Sequence, residues 1–197
     1  DSISVCKRAG STDVRKDQGA DWEGRWEVDG AMWLESDCNL TGGESLIRQI
    51  LKGHRFFLEE FGKESKSLWL PDVFGYSAAL PQILKKSRIP YFMTTKIAWN
   101  QYNQLPNDTF LWKGIDGSEV FAFMPTTTDY DKDQGLNISF SDTRNTTTYT
   151  GIVNPNMTLG TFKRFQNRDL TEDTLMLLDL EMAAAARQKR CWRAPSV

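Results

Sequence analysis

Between Trp26 and Leu178 the chain alternates between strand-like apolar runs and helical periodicity, and this alternation constrains its fold more than any other feature. WEVDGAMWL (Trp26–Leu34) is rich in strand formers and ends at Glu35-Ser36-Asp37. TGGESLIRQILKGHRFFLEEFG (Thr41–Gly62) spaces Leu46, Ile47, Ile50, Leu51, Phe57, Leu58 and Phe61 as one helix would, with Gly62 as its stop. SLWLPDVFGYS (Ser67–Ser77) predicts a short buried strand and a turn, and SAALPQILKKSRI (Ser77–Ile89) a second helix with Ser77 as N-cap. PYFMTTKIAW (Pro90–Trp99) predicts a strand, and FLWKGIDGSEVFAFMP (Phe110–Pro125) a hairpin turning at Ile115–Ser118. Residues 126–154 predict a long loop of the kind that is functional or disordered. MTLGTFKRFQNRDL (Met157–Leu170) predicts a helix, and TLMLL (Thr174–Leu178) a last buried strand. The order implies an α/β fold with parallel strands, too few to close a (β/α)8 barrel.

A chain of 197 residues, 40% hydrophobic and 25% charged, is long enough for one soluble domain with a sizeable core. Its net charge of −2 supplies no basic field for nucleic acid. No apolar run reaches about 18 residues and no signal-type segment opens the chain, so no membrane partner is expected. Cys6, Cys38 and Cys191 lack metal-ligand spacing and read as reduced thiols of a cytoplasmic protein. The 7 tryptophans suit sugar faces and ordinary cores alike. The single histidine, His54, falls mid-helix and reads as a surface residue, so no histidine-rich metal site can come from this chain alone.

Two predicted strand ends carry carboxylates: Glu35 with Asp37, and Asp72. In a parallel sheet such ends face one common edge, where carboxylates beside tryptophans fit sugar chemistry or metal binding. Capping competes with that reading, through an Asx-turn at Asp72 or at Asp37 ahead of Asn39. Asp72 follows Pro71 and precedes Val73-Phe74-Gly75, a strand-to-helix turn that would hold a nucleophile or ligand rigidly. Tyr76 is near enough in sequence to donate a hydrogen bond to it. Lys96, on the adjoining strand, would either keep Asp72 ionised or lie solvated with its stem on Trp99.

MWLESDCNLTGGESLIRQIL, LWLPDVFGYSAALPQILKKS, IPYFMTTKIAWNQYN and DTFLWKGIDGSEV resemble glycoside hydrolase family 38, the class II α-mannosidases, in particular the cytosolic/vacuolar and bacterial branch. The resemblance runs from about Gly24 to Leu178 and divides the chain into an unassigned segment 1–22, a partial catalytic domain 23–178 and a tail 179–197. It implies an incomplete β/α-barrel-like domain of a retaining exo-α-mannosidase that acts on terminal α-mannosyl residues of oligosaccharides. It also implies a divalent metal, zinc or cobalt, a cytoplasmic or vacuolar location, and full-length members that are often oligomeric. By the same resemblance Asp72 is both nucleophile and metal ligand, with a second carboxyl group about 5–5.5 Å away as acid and base. Lys96 matches a basic position near the nucleophile. Trp33, Glu35 and Asp37 match the pocket wall, with Tyr76 and Trp99 counted among the substrate-binding residues.

The departures from the family are specific. Its His-x-Asp metal motif and its further metal histidine are absent, which leaves Asp72 as the one ligand expected here. Its acid/base stands in a GDGGGGPT stretch after the last strand, where this chain has DLEMAAAARQKRCW (Asp179–Trp192). Read one base over, the codon junctions from Leu178 to Trp192 permit that glycine-rich motif in order. Residues from about Leu178 onward are therefore expected to be an out-of-frame translation. The isolated chain is expected to lack mannosidase activity; the alternative is a non-catalytic carbohydrate-binding or interaction module.

Overall fold

A computed structural model describes residues 27–100, 102–128, 147–151 and 155–178. Four strands form one sheet: β1 (Ser67–Trp69), β2 (Tyr91–Met93), β3 (Thr109–Lys113) and β4 (Glu119–Phe123). Their order is β1-β2-β4-β3; β1, β2 and β4 run parallel, and β3 returns antiparallel beside β4. Among the described residues, three α-helices accompany them: α1 (Gly43–Phe61), α2 (Leu80–Lys86) and α3 (Pro155–Arg164). Register aligns Leu68, Phe92, Ala122 and Phe110 across the sheet. Because side chains alternate along a strand, these four share one face, where they pack with Leu46 and Ile50 of α1 and Leu80 and Leu84 of α2. Tyr91, Phe121 and Leu111, one residue out of phase, lie exposed on the other face.

Local signals explain α1 and the hairpin. Gly62 adopts φ 66° and its N–H returns to the Leu58 carbonyl at 3.0 Å, closing α1 where the sequence places its stop. In the hairpin, Gly114 N–H donates to Ser118 O at 2.8 Å, and Ser118 N–H to Asp116 Oδ1 at 3.0 Å.

Other expected elements are shorter or differently built. Of Trp26–Leu34, the described residues 27–34 form no strand; they meet β1 through an isolated parallel bridge, Gly30 to Leu68, and through Ser67 Oγ, which donates to Asp29 Oδ1 at 2.5 Å. Gly30 at φ 113° and Ala31 at φ 61° carry the backbone out of the extended region. The Pro90–Trp99 strand contracts to β2, and Lys96–Ala98 form a 3-10 turn, so Lys96 lies beyond the strand. α2 begins at Leu80 instead of Ser77; Ser77 closes the preceding turn, its carbonyl accepting Leu80 N–H at 2.9 Å. α3 ends at Arg164, ahead of a turn in which Asn167 O accepts Leu170 N–H at 3.0 Å. Thr174–Leu178 contributes one bridge, Leu178 to Gly151.

The described ends of the 126–154 loop meet at an antiparallel bridge, Thr128 to Thr147. Residues 129–146 and 152–154, the segment 1–22 and the tail 179–197 lie outside the described residues. Among the described residues no helix is long and apolar enough to cross a membrane.

Candidate active site

Past the end of β1 the chain makes the turn that carries Asp72. Several bonds hold this turn. Leu70 N–H donates to Met93 O at 3.0 Å, and Thr95 Oγ1 donates to Pro71 O at 2.5 Å. Asn39 Nδ2 donates to Phe74 O at 3.3 Å. Gly75 sits at φ 137°, a conformation that favours glycine, and a Cβ there would fall 1.8 Å from Asn39 Nδ2 and displace the amide that holds Phe74 O.

Asp72 has donors on both carboxylate oxygens. Lys96 Nζ lies 2.7 Å from Oδ1, and Tyr149 OH donates to Oδ2 at 3.1 Å. The Asp72 side chain is 40% exposed and that of Lys96 only 9%. The ammonium also stands 3.8 Å from the Trp99 ring centroid and 5.5 Å from that of Phe74, on faces that attract a cation. Trp99 Nε1 donates to Thr147 O at 2.7 Å, which fixes the ring under the lysine. Phe74 and Trp99 are both exposed, and their rings border the ammonium that pairs with the carboxylate. Glu35 keeps contact with solvent, yet crowding around its carboxyl and then the charge of Asp72 raise its pKa.

The remaining site residues read from the sequence serve other contacts. Asp37 Oδ1 accepts Asn39 N–H at 2.8 Å and Leu40 N–H at 2.7 Å, and so closes the turn ahead of α1. The Trp33 ring meets Phe56 of α1 edge-on at 5.4 Å. The Tyr76 hydroxyl turns inward, within reach of Leu70 O at 3.0 Å, Val73 O at 3.1 Å and the Thr94 hydroxyl, so it supports the turn from below and does not donate to Asp72. Burial pushes its pKa far up, and its ring packs on Phe92 and Trp112. His54 is half-buried instead of on the surface, and burial lowers its pKa. No sequence motif marks Tyr149. It sits in the threonine-rich end of a long loop, 77 residues from Asp72, where periodicity carries no signal.

Among the described residues, no group of three or more His, Cys, Asp or Glu side chains converges. Asp72 offers one potential ligand, and both its oxygens already face donors. The described residues on their own therefore do not fit a resident divalent ion.

A family model described as the glycosyl hydrolases family 38 N-terminal domain matches residues 16–192, reaching into both the N-terminal segment and the tail. Mouse alpha-mannosidase 2C1 is 50% identical over 101 residues, which cover 51% of this chain and 10% of that protein. The alpha-mannosidase of Saccharomyces cerevisiae is 49% identical over 104 residues, 53% of this chain and 10% of the relative. Alpha-mannosidase G of Dictyostelium discoideum is 49% identical over 107 residues, 54% and 10% respectively. The matched part of the chain thus spans 10% of the length of these relatives. In fold, the chain resembles the crystal structure of an alpha-mannosidase from Enterococcus faecalis V583, with a TM-score of 0.52 at 16% identity over 90% of this chain and 23% of that one.

Proposed function

Because this chain belongs to glycosyl hydrolases family 38, matched through that family's N-terminal domain, we propose that it is the nucleophile-bearing part of an α-mannosidase acting on terminal α-mannosyl residues of oligosaccharides. The observation that carries this reading is the Asp72–Lys96 pair on a bonded turn past a parallel strand, with the carboxylate open to solvent. An Asp72 oxygen bonds to the anomeric carbon as the glycosidic C–O bond breaks. The leaving oxygen takes the electron pair of that bond and a proton from a second carboxyl group. Water then hydrolyses the mannosyl ester, with the same group now acting as base. Asp72 and Lys96 supply the attacking half of this reaction. The exposed rings of Phe74 and Trp99 offer apolar faces to the sugar. The sheet is read as a sector of a larger β/α barrel, and a cytoplasmic setting accords with Cys38, a buried thiol pushed up to about 11 by burial and the nearby Asp37. A bound zinc or cobalt would draw its other ligands from beyond the described residues.

In the same reading Asp179–Val197 is translated out of frame, and the acid/base is encoded one base over. The chain as it stands should then show no turnover of 4-nitrophenyl α-mannoside with added zinc or cobalt. Protein translated onward from the restored frame should show metal-dependent turnover that Asp72→Asn abolishes. Robust turnover by the present chain would overturn its inactivity. A frame-restored protein whose activity survives Asp72→Asn would overturn the nucleophile assignment.

The exposed Phe74 and Trp99 also favour a second reading, sugar binding without hydrolysis. Calorimetric titration with mannose separates the two, since heat of binding without product release supports the second.

A further inference from the structure

Asp72 is gripped from two sides, and the second grip comes from the end of the long loop 126–154, at a residue that no motif or periodicity marks. We propose that Tyr149 is a positioning residue for Asp72: its phenol and the Lys96 ammonium each hold one carboxylate oxygen and together fix the plane in which the carboxylate meets the sugar. The proposal rests on the reading of Asp72 as the nucleophile.

Rotation of a carboxylate about its Cβ–Cγ bond is broad and weakly restrained. Lysine is a compact, flexible point donor, so its 2.7 Å contact sets the distance to Oδ1 and leaves the plane of the group open. At 40% exposure, water would otherwise compete for Oδ2. A second donor, at 3.1 Å on Oδ2, removes that freedom.

A donor can position a nucleophile only if it is itself held. Thr148 N–H donates to Thr127 O at 2.7 Å, and Thr147 Oγ1 donates to Thr95 O at 3.0 Å. On the other side Gly151 bridges to Leu178, with no room for a Cβ against Thr127 Cγ2 at 2.5 Å and Leu177 O at 2.7 Å. Tyr149 therefore stands on a short backbone span pinned at both ends. The contacts also form a closed circuit. Thr95 donates to the carbonyl of Pro71, directly before Asp72; Thr147 donates to the carbonyl of Thr95; and Tyr149, two residues on, returns to the Asp72 carboxylate. The carbonyl of Thr147 also holds the Trp99 indole under Lys96, so both donors to Asp72 share one scaffold.

Infrared difference spectroscopy on the full chain tests this without requiring turnover. In protein carrying carboxyl-13C aspartate, subtracting the Asp72→Asn spectrum isolates the Asp72 stretches. Tyr149→Phe keeps the ring and removes the hydroxyl. It should shift the asymmetric carboxylate stretch upward, as loss of a donor does, while Thr150→Ala, one residue away, should leave it in place. An unmoved band in Tyr149→Phe overturns the proposal, and so does an equal shift in Thr150→Ala, because the loop and not the hydroxyl would then be responsible. Should Tyr149→Phe fail to fold, ring-deuterated tyrosine reads the same contact from the other side: Asp72→Asn must move one phenol C–O stretch, and no movement overturns the proposal. None of these bands depends on sugar chemistry, so failure of the nucleophile reading shows separately, in the mannoside assay of frame-restored protein.

Discussion

At the scale of single residues, unequal burial decides what each half of the Asp72–Lys96 pair contributes. Removing the ammonium leaves a carboxylate that is 40% exposed and can rehydrate; removing the carboxylate leaves an ammonium whose side chain is 9% exposed and has lost its counter-charge. Lys96→Met should therefore cost about 1 kcal/mol, the range of exposed pairs, and Asp72→Asn about 3 kcal/mol, the lower edge for an uncompensated buried charge. Urea unfolding at constant m measures both; an equal or larger loss for Lys96→Met would show that the carboxylate is the shielded partner. Glu35 supplies the pH dependence. Its pKa is raised in the fold, so the native state holds this proton more tightly than the unfolded chain does. Its favourable contribution is complete below the ordinary glutamate value of about 4.3 and is lost as pH rises through the higher folded value. Glu35→Gln should accordingly melt higher than the parent near neutral pH, with the difference vanishing in acid. Asp72→Asn should shrink that gain, because the Asp72 charge is the second cause of the shift. The Asp72–Lys96 pairing was legible because a Pro-Asp turn after a strand and a basic residue on the run predicted as the next strand are local patterns, although the structure carries Lys96 past that strand's end. Tyr149 was not, since its contact exists only once residues 77 positions apart are brought together.

At the scale of elements, legibility followed how local the cause is. α1 and the β3–β4 hairpin carry their own stop and turn chemistry, at Gly62 and at Asp116-Gly117-Ser118. The segment before α1 looked like a strand because its composition suits one, yet Gly30 and Ala31 turn it aside with positive φ. Its position depends on a contact that no periodicity announces. A Cβ on Gly53, inside α1, would lie 2.1 Å from Ala31 O and 2.8 Å from the Met32 carbonyl carbon, both rigid backbone. Two effects compete in Gly53→Ala. Helix propensity favours alanine by about 1 kcal/mol, while forcing a methyl into a packed contact costs about 1–3 kcal/mol. With backbone on the far side the second should win, and the net effect should be a loss of up to about 2 kcal/mol. The displacement should also loosen the segment leading to Glu35, which Trp33 N–H anchors to Gln49 O at 3.0 Å. Hydrogen exchange at the Trp33 amide reads this, and a stabilised variant with unchanged exchange would show that α1 can shift freely.

At the scale of the whole molecule, strand–helix alternation correctly foretold a mostly parallel sheet, because parallel neighbours need a long crossover connection: α2 carries the one from β1 to β2, while the one from β2 to β4 runs through β3. It did not foretell that β4, the second strand of the hairpin, would pair with β2 and leave β3 at the edge. Val120 and Ala122 make β4 narrow and fully buried on its core side, whereas β3 presents the bulkier Phe110 and Trp112 there, both only partly buried. The opposite face has a further consequence. Parallel strands are ordinarily covered on both sides, but here Tyr91 is 53% exposed, Phe121 41% and Leu111 65%, adjacent across β2, β4 and β3. A contiguous apolar patch in that position favours association. Phe121 lies between the other two and meets the Tyr91 ring edge-on at 6.2 Å, so it is the residue to change. Threonine retains the branched shape that strands favour while removing the ring. Sedimentation velocity at matched concentrations should show the parent chain self-associating and Phe121→Thr shifted toward monomer. The unfolding free energy should change by less than about 1 kcal/mol, because the ring is already half in water. If the two sediment identically, association runs through another surface and the bare sheet face is not what brings copies together.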